Sequence, residues 1–244
     1  MEKTNYLENA LKEIYCETDS EKVDKLIKFY DIIIEKNKVM NLTTITEFEE
    51  FVMKHIIDSL SVSKIIDLKD KEALKVIDIG TGAGFPGIPI KIMYPSLDIT
   101  LFDSLQKRLK FLDEVIEELD LKGIRTLHGR AEEFGRKEEY REKFDLVVSR
   151  AVADLTPLCE LSLPFAKFKG SFIAYKGSKG EQELLSAEKC IKLLGGKVDR
   201  KIDFMIEDST RILIKIDKIS KTDLKYPRGG GKIFKSPLYI DRTS

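Results

Sequence analysis

Apolar residues recur at helical spacing through the first seventy positions. Leu7, Ala10, Leu11 and Ile14 fall on one face of a first helix, and Val23, Leu26, Ile27, Tyr30 and Ile34 on one face of a second, which Ser20 could cap. Asn37 and Asn41, in NKVMNLTTIT, bracket the end of that second helix, where asparagine commonly serves caps and turns. A third helix over 47–64, with Thr46 as a cap, places His55, Asp58 and Ser59 at i, i+3 and i+4, hence on one face.

From Lys75 the rhythm changes. Short apolar runs at 76–79, 98–102, 124–128, 144–149 and 171–176 alternate with helical periods at 86–93, 104–121, 155–168 and 181–194. Two further β-like runs, 197–205 and 211–216, follow with only a short EDST turn between them. Alternating strands and helices predict a mostly parallel sheet covered on both faces, and the last pair predicts an antiparallel hairpin on its edge. The expected class is therefore α/β, Rossmann-like, with seven strands and an N-terminal helical extension. Residues 1–70 would form a cap, 71–217 the ligand-binding domain and 218–244 a tail.

The stretch KVIDIGTGAGFPGIP, from Lys75 to Pro89, carries the strongest chemical signal. Gly80, Gly82, Gly84 and Gly87 follow a buried strand and precede a helix, which is the cradle that brings a ligand close to main-chain amides. Read from Gly82, the loop fits the dinucleotide pattern G-x-G-x-x-G. Read from Asp78, it fits D-x-G-x-G-x-G, which gives the acid a place near the amino-acid part of S-adenosylmethionine. Asp103, at the end of the second strand, suits ribose hydroxyls of either cofactor or caps the following helix. The closing hairpin, and the lack of a second βαβαβ half, favour the methyltransferase pattern over an NAD-dependent oxidoreductase.

Composition narrows the classes. In 244 residues, 42 Lys plus Arg balance 42 Asp plus Glu, and 42% of positions are apolar, enough for a sizeable core. Net charge demands no polyanionic partner, yet 218–244 holds seven basic residues against two acids. Cys16, Cys159 and Cys190 are far apart and lack metal spacing, which predicts a reduced, cytoplasmic protein with no metal. No stretch is apolar and long enough for a membrane span, and the acidic, amphipathic start is unlike a signal peptide.

Asn37 with Asn41-Leu42-Thr43, His55 with Asp58-Ser59, DIGTGAGFPGIP, Asp103-Ser104 with Lys107-Arg108 and Phe111, Arg130-Ala131-Glu132, Val148-Ser149-Arg150-Ala151, Lys176-Gly177 and Tyr226-Pro227-Arg228 occur in that order. Together they resemble the bacterial 16S ribosomal RNA guanine-N7 methyltransferase family, small-subunit methyltransferase G, also described as the glucose-inhibited division protein B family. The resemblance spans about residues 20 to 238. It implies S-adenosylmethionine as cofactor and 16S ribosomal RNA, or the small subunit, as partner of a monomeric enzyme.

It also implies site residues. Asp78, Gly80, Gly82, Gly84 and Phe85 would hold the methionine end, Asp103 and Ser104 the ribose, and Ala131 and Glu132 the adenine. Arg150 would sit between cofactor and incoming base as the catalytic residue. Asn37, Asn41 and His55, with Arg228, Lys232 and Lys235, would contact RNA. The family's closing pattern Y-P-R-K-x-G-x-P-x-K-x-P-L appears here as YPRGGGKIFKSPL, with Gly229 and Ile233 in place of Lys and Pro. Guanine N7 has a lone pair and no proton, so a sparse catalytic inventory suffices. None of the three cysteines sits in a loop after the fourth strand, as C5-pyrimidine chemistry would need, and SRAVADL replaces the [Asp/Asn]-Pro-Pro-aromatic loop of amine methyltransferases. A non-enzymatic RNA-binding module on this fold is the remaining alternative.

Overall fold

A computed structural model describes residues 1–14, 19–69, 71, 73–150, 152–229 and 231–238; Cys16 and Ala151 lie outside them. The strands are β1 (Lys75–Ile79), β2 (Asp98–Asp103), β3 (Ile124–His128), β4 (Phe144–Arg150), β5 (Ala166–Lys176), β6 (Gly196–Ile206) and β7 (Ser209–Lys218). They form one sheet in the order β3-β2-β1-β4-β5-β7-β6. The first five are parallel, and β7 runs antiparallel between β5 and β6.

The central strands are apolar without interruption because both faces are covered. Val76 and Val148 point into a core shared with α1 (Glu2–Lys12), α2 (Ser20–Met40), α3 (Phe48–Phe51), α5 (Gly87–Met93) and α6 (Gln106–Glu118), through Leu7, Leu26, Phe29, Phe51, Ile88 and Leu112. Their neighbours Ile77 and Val147 point the other way, into a core with α8 (Leu155–Ser162) and α9 (Gly180–Leu193). The N-terminal helices thus share one core with the sheet. The loops that follow β1, β2, β3 and β4 lie together at the carboxyl edge of these parallel strands, where ligands of open parallel sheets sit.

Several boundaries differ from the periodicity, each for a local reason. The second helix is capped by Asp19, whose side chain accepts from the Glu21 amide at 2.9 Å, and not by Ser20. The third helix is capped by neither Thr46 nor any other side chain; Glu47 precedes it, and the Thr46 carbonyl accepts from the Tyr30 hydroxyl instead. It then continues as a π turn over Val52–Ile57, a short α4 (Asp58–Leu60) and a 3₁₀ turn over Ser61–Lys64. The helix expected over 155–168 stops at Ser162, just before Pro164, which lacks the amide a helix needs, and Ala166 already pairs with Phe144 in the sheet. The helix expected from 104 begins at Gln106, because the Asp103 carboxylate takes the Leu105 amide at 2.9 Å.

Cys159 and Cys190 are free and buried in the second core. Burial pushes both thiols up, Cys190 to about 12, which leaves neither as a nucleophile near neutral pH.

Candidate active site

The glycine loop hangs from the end of β2. The amides of Gly80 and Thr81 both donate to the Phe102 carbonyl, at 2.8 and 3.1 Å, and the Gly82 amide donates to the Asp103 carboxylate at 2.9 Å. Gly80, Gly82 and Gly84 have φ of +71°, +60° and +97°, the left-handed region that only glycine enters without strain. A Cβ on Gly80 would lie 2.5 Å from a Val152 methyl, whereas one on Gly82 would meet nothing nearer than the Gly80 carbonyl at 3.9 Å. The loop backbone at Gly82 is therefore open to a ligand.

Asp78, expected beside that ligand, is enclosed beneath the loop. Its Oδ2 accepts from the Thr81 hydroxyl at 2.7 Å and from the Gly87 amide at 2.9 Å, tying the two ends of the turn together. Burial pushes its carboxyl up to about 7, against the two hydrogen bonds that favour the charged form. The folded state therefore keeps a proton that the unfolded chain releases near 3.8, and this stabilisation is complete at acid pH and lost as pH rises toward 7. Asp78→Asn is expected to remove that slope: the difference in urea midpoint between variant and native protein should change from pH 5 to pH 7. Parallel curves would contradict the assignment.

A cavity of about 160 Å³ opens at this edge, lined by Ile79 and Gly80, by Phe102, Asp103 and Ser104, by Gly129 to Glu132, and by Val152, Leu161 and Phe234. The expected residues Gly80, Asp103, Ser104, Ala131 and Glu132 thus meet around one space. Ala131 opens α7 (Ala131–Phe134), whose first amides have no partner within the helix and are available to a ligand. An acid for hydroxyls, open loop backbone and an apolar floor of Ile79 and Phe102 fit an adenosine carrying an amino-acid arm. Phe85 does not line this space. It is buried, stacked on His55 at 4.6 Å and 17°, and packed on Phe29 and Phe51.

Arg150, at the end of β4, joins the helical cap to the sheet. Its Nη1 donates to the Lys54 carbonyl at 3.0 Å and the Asp58 carboxylate at 2.8 Å, its Nη2 donates to His55 Nδ1 at 3.2 Å, and its Cζ stands 4.9 Å from the Phe85 ring centre. Desolvation, and then the Arg150 charge, hold His55 near a pKa of about 3, so the ring is neutral. An arginine can only donate, so Nδ1 accepts, and Nε2 carries the proton toward the Thr43 hydroxyl at 2.8 Å. Asp58 also accepts from Arg211 Nε at 3.2 Å. A second cavity, of about 430 Å³, opens beside Arg150 between Ile45, Lys54, His55 and Asp58 of the cap and Tyr175, Lys176, Gly177, Glu183 and Arg211.

The remaining expected contacts are placed differently. The Asn37 side chain closes its own loop, accepting from the Leu42 and Thr43 amides and donating to the Thr43 carbonyl, and Asn41 sits at φ +49° as the C-cap of α2. Arg228 grips buried Glu160: Nε lies 2.9 Å from Oε1, Nη2 lies 2.7 Å from Oε2, and the Arg228 amide donates to Oε1 at 2.8 Å. That guanidinium anchors the tail and is not a free phosphate ligand. Lys232 and Lys235, on α10 (Lys232–Lys235), are exposed. Arg228→Ala is expected to cost about 3 kcal/mol of stability, the low end for breaking a buried pair, because Arg228 keeps one edge in water. Adding Glu160→Gln should recover part of it in denaturant melts; equal losses for the single and double variants would contradict the pairing.

Arg211, Tyr175, Val152 and Phe234 were not legible as site residues. Arg211 has one signal: in the antiparallel hairpin its neighbour Ile212 lies opposite Lys176, at the carboxyl end of β5.

The sheet superposes on the structure of M. capricolum TrmK in complex with S-adenosyl-homocysteine with a TM-score of 0.51 and 20% identity, covering 68% of this chain and 69% of that one. M. jannaschii TYW2 in complex with AdoMet gives a TM-score of 0.51 at 16% identity, over 66% and 77% of the two chains. These likenesses show the Rossmann-like fold of S-adenosylmethionine-dependent methyltransferases. Ribosomal RNA small subunit methyltransferase G of Lachnoclostridium phytofermentans is 49% identical over 231 residues, 94% of this chain and 95% of the relative, and that of Acetivibrio thermocellus is 51% identical over 222 residues, 90% of each. The family model GidB, rRNA small subunit methyltransferase G, matches residues 22–213, and the chain belongs to that family.

Proposed function

We propose that this protein methylates N7 of a guanine in 16S ribosomal RNA. When bound, S-adenosylmethionine supplies a methyl group already activated on a sulfonium. The chain then has to hold donor and acceptor in line and exclude water. Gly80, Gly82 and Gly84 would receive the methionine arm, Asp103 and Ser104 the ribose hydroxyls, and the first turn of α7, at Ala131 and Glu132, the adenine edge. Asp78 would keep the loop in shape from below.

The observation that carries the choice of N7 is the protonation of the acceptor side. His55 is neutral but its Nδ1 is occupied by Arg150 and its Nε2 proton by Thr43, so it has no lone pair free to remove a proton. Asp58 is held between two arginines. A nucleophile with an in-plane lone pair and no proton needs neither group as a base. Arg150, fixed by three acceptors, would orient the guanine through O6, the usual guanidinium contact of that base. Lys54, Lys232 and Lys235 would meet the RNA backbone, giving salt-dependent binding. The helical segment 1–70 would act as the cap that carries Asn37, Asn41 and His55, 71–217 as the transferase body and 218–244 as the tail. The substrate would be naked RNA or an assembling small subunit, met in the cytoplasm by a monomer.

A 16S transcript with 7-deazaguanine at the acceptor position tests this reading. It should compete for binding with the unmodified transcript and accept no methyl group. Methylation of the 7-deaza transcript at wild-type rate would overturn the assignment of N7.

A further inference from the structure

Phe234 is a large apolar side chain that remains 56% exposed while lining the cofactor cavity. Its neighbour Ile233 is buried in the core beneath α8, so the short helix α10 is seated and Phe234 faces outward from a fixed base. The strap that carries it is clamped along its length. Arg136 donates to the carbonyls of Lys225 and Pro227 at 3.0 and 2.7 Å, Arg141 donates to those of Thr222 and Tyr226 at 2.6 and 2.9 Å, and Arg228 is locked on Glu160. Leu224 of the same segment is more exposed still, at 79%, but Phe234 lines the cleft and Leu224 does not, so the ring faces a space that a ligand can fill. A flat apolar partner in the cleft would cover it.

We propose that Phe234 is a cofactor-binding residue: α10 lays its ring against the adenine of the nucleoside cofactor and forms the outer wall of that subsite. The occupant is set by the rest of the lining. Asp103 and Ser104 offer acceptors for ribose hydroxyls, Ala131 and Glu132 flank the space at the first turn of α7, and Phe102 and Leu161 add apolar lining. Adenine is the planar part of such a ligand, and a base against an aromatic ring gains stacking that no hydrogen bond in the cleft supplies. This proposal rests on the cleft being the cofactor site, and it gives the basic tail a function separate from RNA contact.

The chain has no tryptophan, so a single introduced indole reports its own surroundings. Calorimetry with S-adenosylhomocysteine should show Phe234→Ala binding about tenfold more weakly than native protein, with an unchanged melting temperature, while Leu224→Ala, on the same tail and 79% exposed, binds normally. Phe234→Trp should retain binding, and its emission should be quenched as the ligand is added. Phe168→Trp, equally exposed but beside Lys169 and Lys215 in a different cavity, should not respond. Native affinity in Phe234→Ala together with unquenched Phe234→Trp would overturn the role of Phe234 and leave the cofactor site standing. Quenching by RNA but not by S-adenosylhomocysteine would overturn it equally. Failure of the native protein to bind S-adenosylhomocysteine would overturn both.

Discussion

Arg150→Lys is expected to leave the protein folded and to lower methyl transfer by at least about a hundredfold, the scale seen when one preorganised donor is removed from a reacting site. The guanidinium reaches a carbonyl on Lys54, a carboxylate on Asp58 and a ring nitrogen on His55 at once, and stands over Phe85. A lysine ammonium keeps the charge but has no planar fork, so it can neutralise Asp58 and still fail to fix the wall of the second cavity. Arg150→Ala adds a stability loss. Asp58, only 7% exposed in its side chain, would keep Arg211 as its one cationic partner. The cost should fall toward the low end of the roughly 3–5 kcal/mol for a broken buried pair, because that second arginine remains. Transfer rates and melts for the two variants separate the effects; a lysine variant with native turnover would show that the fork has no role.

Gly80→Ala should weaken cofactor binding by roughly a hundredfold. Two conflicts add there. The backbone sits at φ +71°, which costs an alanine about 1–2 kcal/mol, and the new methyl would lie 2.5 Å from Val152 Cγ2. Relief of the second conflict by shifting the turn moves the amides that the Phe102 carbonyl holds, and with them the floor of the cleft. Adding Val152→Ala should restore part of the affinity, because it removes the clash and leaves the strain. Calorimetry with S-adenosylhomocysteine measures both variants. Native affinity in Gly80→Ala would mean that the turn is not part of the cofactor site.

The fold was legible wherever periodicity and burial agree. The strand over 124–128 and the hairpin closing the sheet follow from apolar runs bounded by turn residues, and the helix over 181–194 from its amphipathic face. Where one side chain overrules periodicity, the sequence misled: Asp103 delays the start of α6, and Pro164 ends α8 before Phe165 and Phe168, which look helical in spacing. The cleft at the glycine loop was legible because it is local, a loop and the ends of three adjacent strands. Gly80, Asp103, Ser104, Ala131 and Glu132 do line one cavity.

The acceptor side was harder to read, since it is assembled across long separations. Asp58 joins Arg150 and Arg211, 92 and 153 positions away, and spacing cannot show that pairing. Polar residues that look available in sequence can also be engaged in the fold. Asn37 serves its loop and Arg228 serves Glu160, and charge alone gives no sign of either. Phe85 occupies the motif position expected at the ligand, yet its ring packs into the first core as the plate on which His55 stacks.

The decisive measurement is transfer of an isotopically labelled methyl group from S-adenosylmethionine to small-subunit RNA lacking the modification, followed by digestion and mass spectrometry of the labelled nucleoside. A single product is expected, 7-methylguanosine, formed by the native protein and lost in Arg150→Lys. Label on another atom or base, or no label with naked RNA and with small subunits alike, would contradict it.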